Sequence, residues 1–76
     1  MWTVEVVYDA NRYHEDKDLE SKLIAKVGRE TSFSGMGLGE RDLGWYFSTE
    51  AEARACADKF RDDPTLRVRV YEEEHE

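Results

Sequence analysis

His14, Asp16 and Asp18, with Asp9 just before them, place one imidazole beside several carboxylates, a donor set able to hold a divalent cation. The plainer chemistry of the same residues is that of helix-start acids complementing the macrodipole, and that reading is adopted; neither metal nor cofactor is expected. Cys56 is the single thiol, and it falls on an apolar helical stripe, so it should pack as a small hydrophobe instead of acting as a nucleophile. The two histidines, His14 and His75, fall in a loop and in the tail, which leaves no Ser-His-Asp set. Gly35-Met36-Gly37-Leu38-Gly39 has the glycine content of a phosphate loop but not its spacing, its lysine or its following helix. It reads as a hairpin tip whose glycines clear space for aromatics.

Three surfaces could serve binding. Asp16, Asp18 and Glu20 cluster at one helix start, Glu50 and Glu52 at another, and Glu72, Glu73 and Glu74 in the tail. Together they would attract a basic partner and speed its association. Met36, Leu38, Glu40 and Arg41 form the expected hairpin tip, with Met36 and Leu38 as adaptable apolar anchors. Tyr46, Arg67, Arg69 and Tyr71 fall on one face of two strands, where they could stack on and pair with a ligand.

The elements that position these residues follow from periodicity. In residues 2–8, Trp2, Val4, Val6 and Tyr8 alternate on one face of a strand, with Thr3, Glu5 and Val7 on the other. Asp9-Ala10-Asn11-Arg12 breaks the alternation. A helix should start near Asp16, carry Leu19, Leu23, Ile24 and Val27 on one stripe, and end at Gly28. A hairpin spans residues 30–47, its first arm Glu30 to about Leu38 and its second Asp42 to Phe47, with Leu43, Trp45 and Phe47 on the apolar face and Asp42, Gly44 and Tyr46 on the open one. Thr49 and Glu52 form a capping box for a helix whose stripe is Ala53, Cys56, Ala57 and Phe60, stopped by Asp62-Asp63-Pro64. In residues 66–71, Leu66, Val68 and Val70 face one way and Arg67, Arg69 and Tyr71 the other.

The hairpin register stays open between two pairings. A two-residue turn at Gly39-Glu40 pairs Phe33 with Tyr46 and Gly35 with Gly44, putting two aromatics on the open face beside bare glycines. A loop one residue longer pairs Phe33 with Phe47 and Gly35 with Trp45, taking Phe33 into the core. Burying a large aromatic contributes about 2–3 kcal/mol, which favours the second pairing. A one-residue slip exchanges the faces of the whole strand.

The chain of 76 residues has 18 acids against 11 bases, a net charge of −7. That length holds one domain, expected over residues 1–71, with 72–76 as an acidic tail. The tail carries four of the seven net charges. The excess of acids disfavours direct nucleic-acid binding, which needs surplus Lys and Arg. A single Cys makes no internal disulfide, and no apolar run approaches the ~20 residues of a membrane span. With no basic-then-apolar leader at its start, the chain is expected to be cytoplasmic, without a membrane partner, and a monomer or homodimer.

The order strand, helix, strand, strand, helix, strand resembles the ferredoxin-like, or α/β-plait, superfold over the whole chain. The resemblance implies an α+β fold, with a four-stranded antiparallel sheet in the order 4-1-3-2 and two helices on one face. Motifs of functional families on this layout are absent. Tyr8-Asp9-Ala10-Asn11-Arg12 stands where heavy-metal-associated domains carry Met-x-Cys-x-x-Cys. Arg12 lacks the glycine-rich cradle of acylphosphatases, and Asp42 to Phe47 lacks the RNA-recognition opening Lys/Arg-Gly-Phe. In size and acidity the chain is similar to small inhibitors such as toxin-immunity and phage anti-CRISPR proteins, and no residue role carries over. The expected function is therefore a non-enzymatic protein-binding module, an inhibitor or adaptor docking on a basic protein, including one that itself handles nucleic acid. The alternatives are a small-ligand or nucleic-acid binder using the open sheet face, and a self-associating structural domain.

Overall fold

Strand alternation in a short chain forces a choice, since a small set of apolar residues can cover one face of a sheet and not two. The computed structural model, which describes residues 1–73, shows that choice. Its elements are β1 (Trp2–Asp9), α1 (Ala10–Glu15), α2 (Leu19–Val27), β2 (Phe33–Gly37), β3 (Glu40–Phe47), α3 (Glu50–Asp58) and β4 (Arg67–Glu72). The strands form one sheet in the order β2-β3-β1-β4, every neighbouring pair antiparallel. The expected order 4-1-3-2 is this order read from the other edge. No helix among the described residues is long and apolar enough to cross a membrane.

The core lies between one sheet face and the helices. Val4, Val6 and Tyr8 of β1 and Leu43 and Trp45 of β3 are buried against Leu19 and Leu23 of α2 and Ala53, Cys56 and Ala57 of α3. Phe60 and Leu66 close it, and the Phe60 ring stacks on Trp45 at 5.8 Å between centroids. The buried indole is satisfied, since Trp45 Nε1 donates to the Arg29 carbonyl at 3.1 Å. Small residues on α3 let its axis come close to β1 and β4, and a small helix face matched to large strand side chains fills the space. The capping box forms as expected: the Glu52 amide donates to Thr49 Oγ1, whose hydroxyl donates to the Glu52 carboxylate. Gly28 ends α2 with φ of 87°, a left-handed cap that glycine reaches without strain.

Three expectations are corrected. The segment after β1 is a helix, α1, capped by Asp9, which accepts from the Asn11 amide. It buries no residue, so no apolar stripe announces it, and the fold has three helices where two were expected. Asp16 ends α1 instead of starting the next helix; its carboxylate accepts from the Asp18 amide, and α2 begins at Leu19. At the other end, Glu72 belongs to β4, and the Glu73 amide donates to the Met1 carbonyl, so neither is part of a detached tail. Glu74 and the two residues after it lie outside the described residues.

The hairpin is corrected as well. The turn is Leu38-Gly39, with φ of 53° and 77°, the two positive values that a type I′ hairpin requires. It pairs Phe33 with Gly44 and Gly35 with Asp42, so neither expected pairing is present. Phe33 lies on the open face, not in the core, because Trp45 and Phe60 already fill that space. Glu40 and Arg41 are β3 residues, and Met36 is in β2; of the expected tip residues only Leu38 is in the turn, fully exposed.

Asp63 ties the connection before β4. Its carboxylate accepts from the Thr65 amide at 2.9 Å and from the Thr65 hydroxyl, and it pairs with Arg12 of α1 at 3.4 Å. The Thr65 hydrogen bonds, with Arg12 assisting, hold this carboxyl below its ordinary value.

Two outcomes follow for stability. Leu38→Asn should raise it by about 0.5–1 kcal/mol in urea denaturation, since asparagine tolerates positive φ better than leucine. Unchanged or lower stability would show that Leu38 is not strained. For Asp63 the depressed carboxyl value sets the sign: the folded state gains stability above the ordinary aspartate value near pH ~4 and loses it as pH falls toward the lowered one. Asp63→Asn should thus lower Tm at pH 7, and the gap to the parent protein should narrow at pH 3. A gap of constant size would assign the loss to hydrogen-bond geometry instead of ionisation.

Candidate functional site

The sheet face opposite the helices follows from the same registers. One row across it reads Phe33, Gly44, Glu5, Arg69; the next reads Gly35, Asp42, Val7, Arg67. A row toward the chain termini places Thr3 between Tyr46 and Tyr71. Tyr46, Arg67, Arg69 and Tyr71 therefore share this face, as their alternation predicted. Phe33, Asp42 and Val7 complete it.

Each member has a cause. A Cβ at Gly44 would sit 1.9 Å from Phe33 Cζ, so glycine is required for the ring to lie flat on β3. Phe33 then meets Tyr46 at 5.6 Å between ring centroids. Thr3 is fully buried beneath the flanking tyrosines, and its Oγ1 has no hydrogen-bond partner among the described residues. Burial, with Glu5 and Glu73 nearby, pushes the Tyr71 phenol above its ordinary value, so it is a neutral donor at neutral pH.

The charged half is arranged in columns. Arg69 Nε donates to Glu5 at 3.0 Å, and its guanidinium lies 5.3 Å from the Tyr71 ring centroid. The Glu5 hydrogen bond raises the Arg69 value further, so it is a permanent cation. Arg67 pairs with Glu40. Both arginine side chains are about two-thirds exposed, at 65% and 66%, leaving donors free for another molecule. Asp42 is half-buried and has no hydrogen-bond or ion-pair partner among the described residues. Its carboxylate leans toward Gly35, where an added Cβ would sit 3.1 Å from Oδ1. Glu5, Val7, Gly37, Glu40, Asp42 and the two arginines bound a shallow open cavity of about 460 Å³.

The other expected binding residues are not brought together. Asp16, Asp18 and Glu20 lie by the end of the sheet where Asp9 pairs with Glu40. Glu50, Glu52, Glu72 and Glu73 lie by the opposite end, where Trp2 pairs with Phe47 and Glu72. Several are already engaged: Glu50 pairs with Arg54, and the Glu52 carboxylate accepts from the hydroxyl of Thr49, the cap of α3. Glu20 accepts from Arg41, whose guanidinium also donates to the Gly35 carbonyl at 3.2 Å and lies 4.9 Å from the Tyr13 ring centroid. Arg41 is thus a tie between α2, β2 and β3, with 14% of its side chain exposed, and not a tip residue. Burial and the Glu20 carboxylate, opposed by Arg41, push the adjacent Tyr8 phenol up.

Among the described residues the helix side holds one thiol. Cys56 is buried, and burial pushes its thiol up, away from the thiolate. Among the described residues no group of three or more His, Cys, Asp or Glu side chains is placed to hold a metal. Strand alternation places Asp42 on this face as expected, whereas Phe33 was expected in the core; what sequence reasoning missed was the seat of each side chain. For both the pointer was a glycine directly across the hairpin, Gly44 for the ring and Gly35 for the carboxylate.

Arg41→Ala should cost about 2–3 kcal/mol in chemical denaturation, because it leaves Glu20 part-buried and unpaired. Arg41→Lys should recover little, lacking the planar fork that spans Glu20 and Gly35. Full recovery by lysine would reduce the role of Arg41 to charge alone.

Comparison with known protein families, with curated proteins and with solved structures finds no match, so the face is interpreted from its own residues.

Proposed function

We propose that the chain is a non-enzymatic protein-binding module of the inhibitor or adaptor kind that docks through its uncovered sheet face. The fold fits a ferredoxin-like domain in which α1 is an added turn of helix, since α2 and α3 follow β1 and β3 as the two crossovers of that layout. That layout leaves one sheet face without helices, and here the face carries both charged and aromatic side chains.

The observation that carries the proposal is Asp42. A half-buried carboxylate without a partner, on a floor shared with Val7 and beside the Phe33–Tyr46 aromatic pair, calls for a cation from outside. A Lys or Arg side chain of a basic protein supplies that cation, while the aromatics supply apolar area around it. The expected attraction to a basic partner is thereby assigned to one carboxylate in a structured site. The acids at the two sheet ends add long-range attraction and speed encounter, without forming a single patch.

The immobilised protein should retain a defined set of basic proteins from its native cell extract. Asp42→Lys should remove them, whereas Glu52→Lys, at the far end of α3, should weaken capture only at low salt. Equal retention by the parent and Asp42→Lys proteins would reject the face as the docking site. Circular dichroism of both variants checks that the domain stays folded.

A further inference from the structure

We infer that the first occupant of this face is a second copy of the same chain, packed sheet to sheet about a two-fold axis parallel to the strands. The inference rests on the reading of the face as a docking surface, and the second copy holds that face until a basic protein displaces it.

The charge columns carry it. The β4 edge bears Arg67 and Arg69; the adjacent β1 bears Glu5 and Val7; β3 bears Glu40 and Asp42; and the β2 edge bears Gly35 and Gly37. A two-fold axis across the strands would lay β4 on β4, arginine on arginine. An axis along the strands reverses the column order and lays β4 of one copy over β2 of the other.

The rows then match in register. Phe33, Gly44, Glu5, Arg69 meets its own reverse, so Arg69 falls on the Phe33 ring as a cation–π partner, and Glu5 falls over the side-chain gap at Gly44. Gly35, Asp42, Val7, Arg67 meets its reverse, so Arg67 enters the gap left by Gly35, beside the unpartnered Asp42. Gly35 and Gly37 have no side chain to obstruct a guanidinium arriving from above. The fork of Arg67 can hold its own Glu40 and the copy's Asp42 together, because most of that side chain is exposed. Both Asp42 carboxylates are satisfied at once by the symmetry.

The net charge of −7 opposes association of two copies. Four of the seven net charges fall in residues 72–76, and charges separated by more than about 8 Å are largely screened at physiological salt. The two Arg67–Asp42 contacts are close enough to escape that screening.

Sedimentation velocity of the full chain from ~5 to ~500 µM at physiological salt tests this, a range suited to a modest interface. A reversible dimer is expected. Asp42→Arg and Arg67→Asp should each weaken it at least tenfold, since each opposes like charges across the interface. Mixing the two single variants should restore a heterodimer, seen by native mass spectrometry. The double variant Asp42→Arg/Arg67→Asp should restore the homodimer.

A monomer throughout that range would overturn the inference, as would a dimer indifferent to both single reversals, or a mixture that fails to recover pairing. Circular dichroism confirms that these exposed substitutions leave the fold intact. The docking reading fails separately: it falls only when Asp42→Lys retains every captured protein, whatever the oligomeric state.

Discussion

The register of β2 against β3 decides what this protein shows to its surroundings. Two consecutive residues with positive φ, Leu38 and Gly39, close the hairpin, and the closure pairs Phe33 with Gly44 and Gly35 with Asp42. Strand side chains alternate, so a turn displaced by one residue would exchange the two faces of β2. The aromatic pair, the flat-lying Phe33 ring and the leaning Asp42 carboxylate all follow from that closure. A strained leucine at the turn is a small local cost beside the number of contacts it positions.

The core explains why the face remains open. Trp45 and Phe60 stack within it, Tyr8 and Leu43 fill the spaces beside them, and the small residues of α3 close over the top. The other sheet face receives the alternate residues, which apart from Thr3 and Val7 are charged, aromatic or glycine. Strand pairing turns these into an ordered pattern, with Glu5 against Arg69 and Thr3 between two tyrosines. The fully buried Thr3 shows that this face has packing of its own, with side chains covering side chains where no helix lies.

Elements with strong periodicity were legible in the sequence. β1 and β4 alternate, and α3 joins a capping box to an unbroken apolar stripe; the structure places all three within a residue or two of expectation. The members of the open face on β1 and β4 were legible for the same reason. α1 was not, because a six-residue helix that buries nothing leaves no apolar period, and its one marker was the Asp9 cap. The register was not, because the estimate favouring a buried Phe33 counted the transfer of the ring and not the volume already taken by Trp45 and Phe60. A half-buried seat over Gly44 gave the ring much of the same shelter without displacing either. Asp42 was legible as a member of the face, but not as an unpaired one, because that depends on the register: in a strand face its neighbours, not its type, decide whether a carboxylate is paired.

Total charge and useful charge part company here. An excess of seven acids suggests a diffuse negative surface, yet the structure divides the acids between two ends of the sheet and engages several of them with Arg41, Arg54 and Thr49. What such acids add is screened attraction of low specificity. A single carboxylate held on a semi-buried floor differs in kind, because its solvation is already reduced and its position fixed by the strand pair. The same reasoning covers the arginines. Arg67 and Arg69 satisfy their neighbours Glu40 and Glu5 with part of each guanidinium and hold out the remainder at the sheet edge. One unanswered acid and two half-answered bases thus share a face, separated by the width of a strand.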